Sequence, residues 1–497
     1  MDGSLTAVSP EARIYALTEL IRRAGVTGEF YKRWEVESTP LGDLVVRPQR
    51  GASGQVRFPL ASGELQIDEV VRKTWHGEAP AEFRDVVPDF IVPFSAPASV
   101  AGRPLFTQEG PGRFSCTEDI LASIVLTLSR FEEIVSPARD DHGRFPASAS
   151  AAFCRNYLNR PIVDEYGLAL QQILELLMPG WRPAPRALRV KITHDLDQIG
   201  IPFSLKSAIG HLLKRKSPLF FMRDFLSLGT GVEPAFLKQV RDICQLSLQR
   251  HLHSTLYWMA STPGPSDWGY DVEDLRIARV MRWAREHDVE MGVHPGYDTF
   301  LSPALLEQQV QRCRKALQNE RIGGRQHYLR WRPKTWVHWE RCGLLYDSSV
   351  GFVNYPGFRA GTCVPYLPWL WLENRRADLL EIPLVVMDVA LLAIDHGKVL
   401  EVVEKLVQRC AVVGGVCTLV WHNNRLASPE GRYYPGVLDA LSSGSDYDWQ
   451  TDLAQLRQLA CNGSQHKLSS ATKRAGIAHT AARREAVVTG TNDCGRA

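Results

Sequence analysis

From Leu188 to about Ala460, runs of strand length alternate with runs of helical period, and this alternation limits the fold more than any other feature of the chain. Strand-like runs start near Leu188, Ser254, Val289, Gln326, Leu344, Leu380 and Gly415. Helical runs lie near 235–250, 271–287, 302–318, 333–342 and 397–410. Strands separated by helices pair in parallel, because each crossover returns the chain in the same direction. Seven strands at uneven spacing predict an α/β fold, a distorted (β/α)7 barrel rather than a regular eight-fold one.

A linker rich in Pro, Met178-Pro-Gly-Trp-Arg-Pro-Ala-Pro185, sets this region apart from the front of the chain. Ser9-Pro10-Glu11 opens a helix to about Arg23, with Ser9 as cap and proline at the first position. Residues 41–76 alternate apolar and polar (Leu44-Val-Val-Arg, Val56-Arg-Phe-Pro-Leu, Leu65-Gln-Ile-Asp) and predict short strands. An amphipathic helix is expected over Cys116–Ser136, a polar turn at 140–146, and a second helix over Val163–Leu177. After about Ala460 large apolar residues thin out, so the tail is expected to be disordered. The predicted organisation is a smaller α+β domain over 1–184, a barrel over 185–462 and a tail over 463–497.

Net charge is +3, too small for nucleic-acid binding through bulk charge. The ten cysteines are scattered without a Cys-x-x-Cys pair. That pattern opposes a cysteine-based zinc site or a disulfide framework and fits a reducing compartment. The N-terminus lacks the basic and apolar regions of a signal peptide, and no apolar run is long enough to span a membrane. These features predict a cytoplasmic protein.

The chemistry gathers at strand ends. Leu188-Arg-Val-Lys-Ile-Thr193 reads as a buried strand, and Thr193-His-Asp-Leu-Asp197 ends it with two carboxylates. Side chains alternate along a strand, so Asp195 and Asp197 share a face. Paired carboxylates repel, and both stay ionised only beside a metal or an arginine. His294 ends the strand Val289-Glu-Met-Gly-Val-His294, which favours it as a ligand. Asp298, four residues on, shares its face if the turn is helical. Arg325 can orient a carboxylate through a bidentate pair, and His327 lies two residues further. His422, after Thr418-Leu-Val-Trp421, suits a general acid because an imidazole titrates near neutrality. Asp388, closing Leu384-Val-Val-Met-Asp388, orients His422 or caps a helix.

Together these residues give the region from about 188 to 425 a resemblance to the polysaccharide deacetylases of carbohydrate esterase family 4. Thr193-His-Asp-Leu-Asp197 resembles the family's first motif, His294-Pro-Gly-Tyr-Asp298 its histidine metal motif and Arg325-Gln-His-Tyr328 its third. Trp421-His422 resembles its last motif, while Tyr346-Asp-Ser-Ser349 and Glu381-Ile-Pro383 are similar to segments of one branch. The front half, through Leu128-Ser-Arg-Phe-Glu-Glu133 and Asp141-His-Gly-Arg-Phe-Pro146, resembles the domain that precedes deacetylases in a bacterial surface-polysaccharide subgroup. Gly357-Phe-Arg-Ala-Gly-Thr-Cys363 carries the same similarity in the back half.

The resemblance implies a divalent metal, zinc by its ligand types, held by Asp197 and His294. It implies Asp195 as base, Arg325 as its orienter and His422 as acid. Leu196 separates aspartates that are adjacent in the family, so the roles of Asp195 and Asp197 are exchangeable. Asp298 stands where the family has a second histidine, leaving Asp298, His327 or water as third ligand. The implied substrate is an N-acyl amino sugar of a surface glycan, such as an O-antigen, or its lipid-linked or nucleotide-linked precursor. The competing readings are a glycoside hydrolase with paired carboxylates and a glycan-binding protein without catalysis.

Three further expectations follow from composition. The basic and apolar segment His211–Leu226 is expected on a membrane surface, as a lid, or packed as an amphipathic helix. Trp331, Trp336, Trp339, Trp369, Trp371 and Trp421 stack on sugar faces or fill the core. Arg130, Glu132, Glu133, His142 and Arg144 are expected in a buried ionic network.

Overall fold

The structure, a computed structural model, describes residues 8–27, 34–48, 54–61, 70–95, 99–200, 209, 213, 218–227 and 232–463. The expected strand at Leu65, most of the 211–217 segment and the tail beyond 463 lie outside the described residues.

The back half is built on a parallel sheet. Its central strand, Arg189–Leu196, is buried at every position from Val190 on, as a strand covered on both faces must be. It pairs in parallel with Ser254–Met259 on one side and Val416–Val420 on the other. Glu290–His294 and Val386–Met387 extend the sheet outward. The neighbouring strand starts only opposite Ile192, so Ser445–Asp446 pairs with the exposed start of the central strand. All these ladders are parallel, so their C-terminal ends, and the polar residues that close them, point the same way.

The strand expected at Gln326 does not form. Single parallel bridges, Val293 to Gly324 and Gly324 to Asp347, carry the sheet to the short pair Tyr346–Asp347 and Leu380–Glu381. A Cβ at Gly324 would lie 2.0 Å from the Val293 carbonyl oxygen, so only glycine allows this approach. The chain then turns, with Tyr328 at φ 60° and Leu329 at φ 50°, into the 3-10 segment His327–Leu329. The helices Ala235–Leu248, Leu275–Glu286, Pro303–Leu317, Pro333–Arg341 and Val399–Val413 fall where the periodicity placed them. The observed fold is mixed α/β around a parallel sheet.

In the front half, Ser9 Oγ accepts from Ala12 N and caps the helix Pro10–Arg23. A five-stranded sheet runs in the order Trp34–Ser38, Leu44–Pro48, Gln55–Phe58, Arg113–Cys116, Phe106–Gly110. The helix Ile162–Leu177 is present, one residue longer than expected. The single helix expected over Cys116–Ser136 is two, Ile120–Leu128 and Phe131–Val135, broken at Arg130 with φ 55°. The break has a tertiary cause. Arg130 turns inward and donates from Nε to Glu133 (2.8 Å) and from Nη1 to the Arg359 carbonyl. Glu133 in turn accepts from Arg359 Nη2 at 2.6 Å. One contiguous buried cluster runs from Val8 to Leu441, so both halves share a core.

Candidate active site

Asp197, His294 and His327 converge. Asp197 Oδ1 lies 3.1 Å from His294 Nε2 and 3.5 Å from His327 Nε2. Their three ligand atoms all fall within 4.8 Å of one another. Each imidazole is fixed from behind. His294 Nδ1 lies 2.6 Å from the Arg325 carbonyl oxygen, and His327 Nδ1 lies 2.7 Å from Asp267 Oδ1. A carbonyl or carboxylate oxygen only accepts, so each Nδ1 carries a proton and each Nε2 is turned toward Asp197.

Asp197 Oδ1 is buried and has no hydrogen-bond partner among the described residues. A carboxylate oxygen facing two lone pairs repels them unless a proton or a cation sits between. The ion-free charges show the same demand. Burial opposes charging of His327, yet Asp197 and Asp267 outweigh it and push its pKa up to about 9. Burial likewise works against ionised Asp197, but His327, His294 and His422 hold it well below the usual carboxylate range. One carboxylate and two imidazoles with oriented Nδ1 protons fit a divalent cation of zinc type.

Asp195 lies beside this group and is paired elsewhere. Its Oδ1 accepts from Arg325 Nη1 at 2.9 Å. Arg325 is fully buried and also donates to Thr193 Oγ1 (2.6 Å), the Ser348 carbonyl (2.8 Å) and Ser348 Oγ (2.9 Å). A guanidinium held at so many donors cannot swing, so it fixes the Asp195 carboxylate in one orientation.

His422 faces the group from the end of Val416–Val420. Its Nε2 is 3.6 Å from Asp197 Oδ2, and its Nδ1 donates to Asp388 at 2.8 and 3.0 Å. Burial opposes the charge, but Asp388 first, then Asp197 and Asp195, raise the pKa to about 9. With Nδ1 committed to Asp388, Nε2 is the ring nitrogen directed at the site. Of its two expected roles Asp388 takes the first, holding His422; the helix that follows is capped by Met387 without a side-chain bond. It starts the helix Asp388–Leu392, accepts from Val389 N at 2.7 Å and holds His422. Asp388→Asn keeps the shape but weakens that grip, so turnover should fall about 10–100-fold with little loss of metal content. Unchanged turnover with a shifted metal content would assign Asp388 elsewhere.

The expectation for Asp298 is corrected, and of the two expectations for the tryptophans core packing is the one met. Asp298 is exposed on the 3-10 turn Tyr297–Phe300 and lies outside the group; a 3-10 turn repeats every three residues and does not bring position 298 under His294. Of the other options named for that place, His327 is the side chain that lies with Asp197 and His294. Five of the six tryptophans are core. Trp331, Trp336, Trp339 and Trp421 are at most 1% exposed and Trp369 is 5% exposed, so none presents a face to a sugar. Trp371 is half-buried against Phe131, 4.7 Å between rings. The ionic network forms around Arg130, Glu133 and Arg359, with Glu132 at 3.8 Å from Arg130. His142 and Arg144 lie outside it, at the rim of the site.

Asp267 went unread in the sequence. It sits in the loop Pro263-Gly-Pro-Ser-Asp267 and accepts from Tyr297 N at 3.0 and 3.1 Å besides holding His327. A Cβ at Gly296 would lie 2.5 Å from Asp267 Oδ2, so glycine makes room for this carboxylate.

A family profile described only as a family of unknown function, DUF7033, matches residues 62–179. No curated protein matches the chain. Among solved structures, the chain is similar to a provisionally assigned polysaccharide deacetylase from Mycobacterium smegmatis. Identity is 12% and the TM-score 0.39, over 56% of this chain and 93% of that one. It is also similar to a provisionally assigned polysaccharide deacetylase involved in O-antigen biosynthesis from Bordetella bronchiseptica. There identity is 16% and the TM-score 0.27, over 55% and 90% of the two chains. Identities and scores this low define no function, and the chemistry of the site has to.

Proposed function

We propose that the chain is a metal-dependent deacylase that removes an N-acetyl or N-formyl group from an amino sugar of a bacterial surface glycan or its precursor. The observation that carries the reading is the convergence of Asp197, His294 and His327, with Asp195–Arg325 and Asp388–His422 beside them. The order of the motifs, similar to that of carbohydrate esterase family 4, supports it. In this reading the curved sheet closes as a distorted (β/α)7 barrel over 185–462, residues 1–184 are an accessory domain, and the enzyme works in the cytoplasm.

Asp197, His294 and His327 would hold the ion, zinc by its ligand types. Such an ion acidifies bound water and stabilises negative charge on the acyl oxygen. Asp195, kept in place by Arg325, takes the proton from water as it adds to the acyl carbon. His422 Nε2–H passes its proton to the amine nitrogen as the C–N bond breaks, leaving a free amine and a carboxylate. The test is metal analysis of the purified chain, with acetate and formate release from N-acyl amino-sugar oligosaccharides. Release should stop on chelation and return with zinc. Undiminished release from metal-free protein would refute the reading.

The helix Pro218–Leu226 bears on where the enzyme works. Leu219, Met222 and Phe225 are 80%, 53% and 56% exposed on one stripe, while Asp224 is buried and accepts from Ala235 N. No helix among the described residues is long and apolar enough to cross a membrane. The sequence before this helix is basic, Lys214-Arg-Lys216. The combination fits contact with an anionic lipid surface. Leu219→Asp with Phe225→Asp should lower co-sedimentation with phosphatidylglycerol vesicles by more than about 10-fold. Equal pelleting of both proteins would remove the membrane from the picture.

A further inference from the structure

The loop around Gly143 brings the front half to the rim of the site. His142 Nδ1 lies 3.0 Å from Tyr297 Oη, and its ring is 4.8 Å from that of Tyr328. Arg144 donates to the Tyr328 carbonyl at 2.9 Å. The Tyr328 ring is 4.6 Å from the His327 ring. One aromatic side chain therefore separates this loop from the metal-ligating group.

Against the loop lie guanidiniums without acidic partners. Arg330 is 6% exposed. It donates from Nε to the His142 carbonyl (2.8 Å) and from Nη1 to the Tyr297 carbonyl (2.7 Å), and stands 3.7 Å over the Tyr297 ring. Arg332 stands 4.2 Å over the Phe300 ring, and its buried Nε has no hydrogen-bond partner among the described residues. Arg139 donates to the carbonyls of Ser136, Ala138 and Glu133. None of the three has a carboxylate within ion-pair distance among the described residues. The nearer acids are engaged or outward. Asp140 is held by Arg144 at 2.7 Å, and Asp298 is exposed.

Arg330 is buried, Arg332 half-buried and Arg139 exposed, and a buried cation such as Arg330 is normally paired. Burial first, then Arg139 and Arg330, lowers the pKa of Arg332, so the cluster resists its own charge. A clamp role accounts for Nε and Nη1 of Arg330, which tie the loop to the back half. It does not account for the donors left over. A Cβ at Gly143 would lie 3.8 Å from Arg332 Nη2 and 3.9 Å from Arg330 Nη2. Both terminal nitrogens, with Phe300 Cε1 3.8 Å from the same point, thus gather at contact distance around the Gly143 backbone, held at φ 73°. Two planar guanidiniums side by side at one glycine suit an oxyanion with several equivalent acceptors.

We propose that Arg330 and Arg332 over Gly143 form an oxyanion subsite that takes a phosphate of the substrate, next to the deacylation site. The placement deepens the deacylase reading and rests on it only for what carries the phosphate. A phosphorylated or diphosphate-linked amino sugar would present its acyl group to Asp197, His294 and His327 while its phosphate lies on Arg330 and Arg332. The linkage can be to a nucleoside or to a lipid, since both offer the same oxyanion.

Calorimetric titration of the full chain with inorganic pyrophosphate tests the subsite. The protein is treated with chelator first, so that the anion cannot be bound by a metal. Arg332→Gln should weaken binding at least about 10-fold, because the lost contacts are charge-assisted. Arg330→Gln should do the same, while exposed Arg321→Gln should leave it unchanged. Should Arg330→Gln fail to fold, Arg332→Gln decides alone, since among the described residues its guanidinium donates no hydrogen bond. Asp197→Ala should lose metal yet keep pyrophosphate binding, which separates failure of the subsite from failure of the deacylase reading. Equal affinity in Arg332→Gln, or no binding by the unsubstituted chain, overturns the proposal. A nucleoside diphosphate and an alkyl diphosphate, titrated in parallel, then report which linkage binds tighter.

Discussion

Asp197→Ala should abolish zinc retention and lower acyl release by roughly 10³-fold or more. The carboxylate supplies the group's negative charge, and both imidazoles are aimed at it. Without it, His294 and His327 offer two neutral donors to an ion that needs a third ligand and charge neutralisation. Loss of the ion removes the acidified water and the oxyanion stabilisation together; about 4 kcal/mol of barrier corresponds to three orders of magnitude. His294→Ala should behave alike. Asp298→Ala is the informative control, because that side chain is exposed and outside the group, and both metal content and turnover should stay at wild-type levels. Metal content is read by elemental analysis and folding by near-ultraviolet circular dichroism. Zinc bound at full stoichiometry by folded Asp197→Ala protein would place the metal elsewhere, as would metal loss in Asp298→Ala.

Much of this group was legible before any coordinates, and for one reason. Parallel strands all present their C-terminal ends to the same side, so a polar residue closing a strand-like run is already placed relative to the others. Asp195, Asp197, His294 and His422 were found that way. His327 was harder. Its position depends on a pinch at Gly324 and on two residues at positive φ, Tyr328 and Leu329, where periodicity reads a strand. Asp267 left no pattern at all. It lies in a loop, and its partners, Tyr297 and His327, are 30 and 60 residues further along the chain. Asp298 was misplaced because spacing of four was read as helical when the turn is 3-10. In the front half the helix expected through Ser136 ignored Arg130, whose partner Arg359 lies 229 residues away. Local propensity cannot see a contact of that range.

That long-range contact has the largest expected effect on stability. Glu133 is 1% exposed and accepts from Arg130 Nε at 2.8 Å and from Arg359 at 2.9 and 2.6 Å. Arg130 and Arg359 are themselves buried, at 4% and 3% exposure. Glu133→Ala therefore strands two buried guanidiniums in front of each other. Removing one member of a buried ion group typically costs about 3–5 kcal/mol, most of it from the charges left unpaired. Glu133→Gln keeps acceptor geometry without charge and should fall between. The effect should depend on pH with a definite sign. Burial alone would raise the Glu133 pKa, but Arg359 and Arg130 lower it below its ordinary value. A carboxyl depressed in the folded state stabilises above its unfolded pKa and loses that contribution as pH falls through the folded one. The gap in urea midpoint between the natural chain and Glu133→Ala should thus hold steady from about pH 7 to about pH 5 and close below about pH 4. A gap that widened on acidification would show that Glu133 is protonated in the fold, and that the two arginines, rather than their shared carboxylate, hold the helix break against the back half.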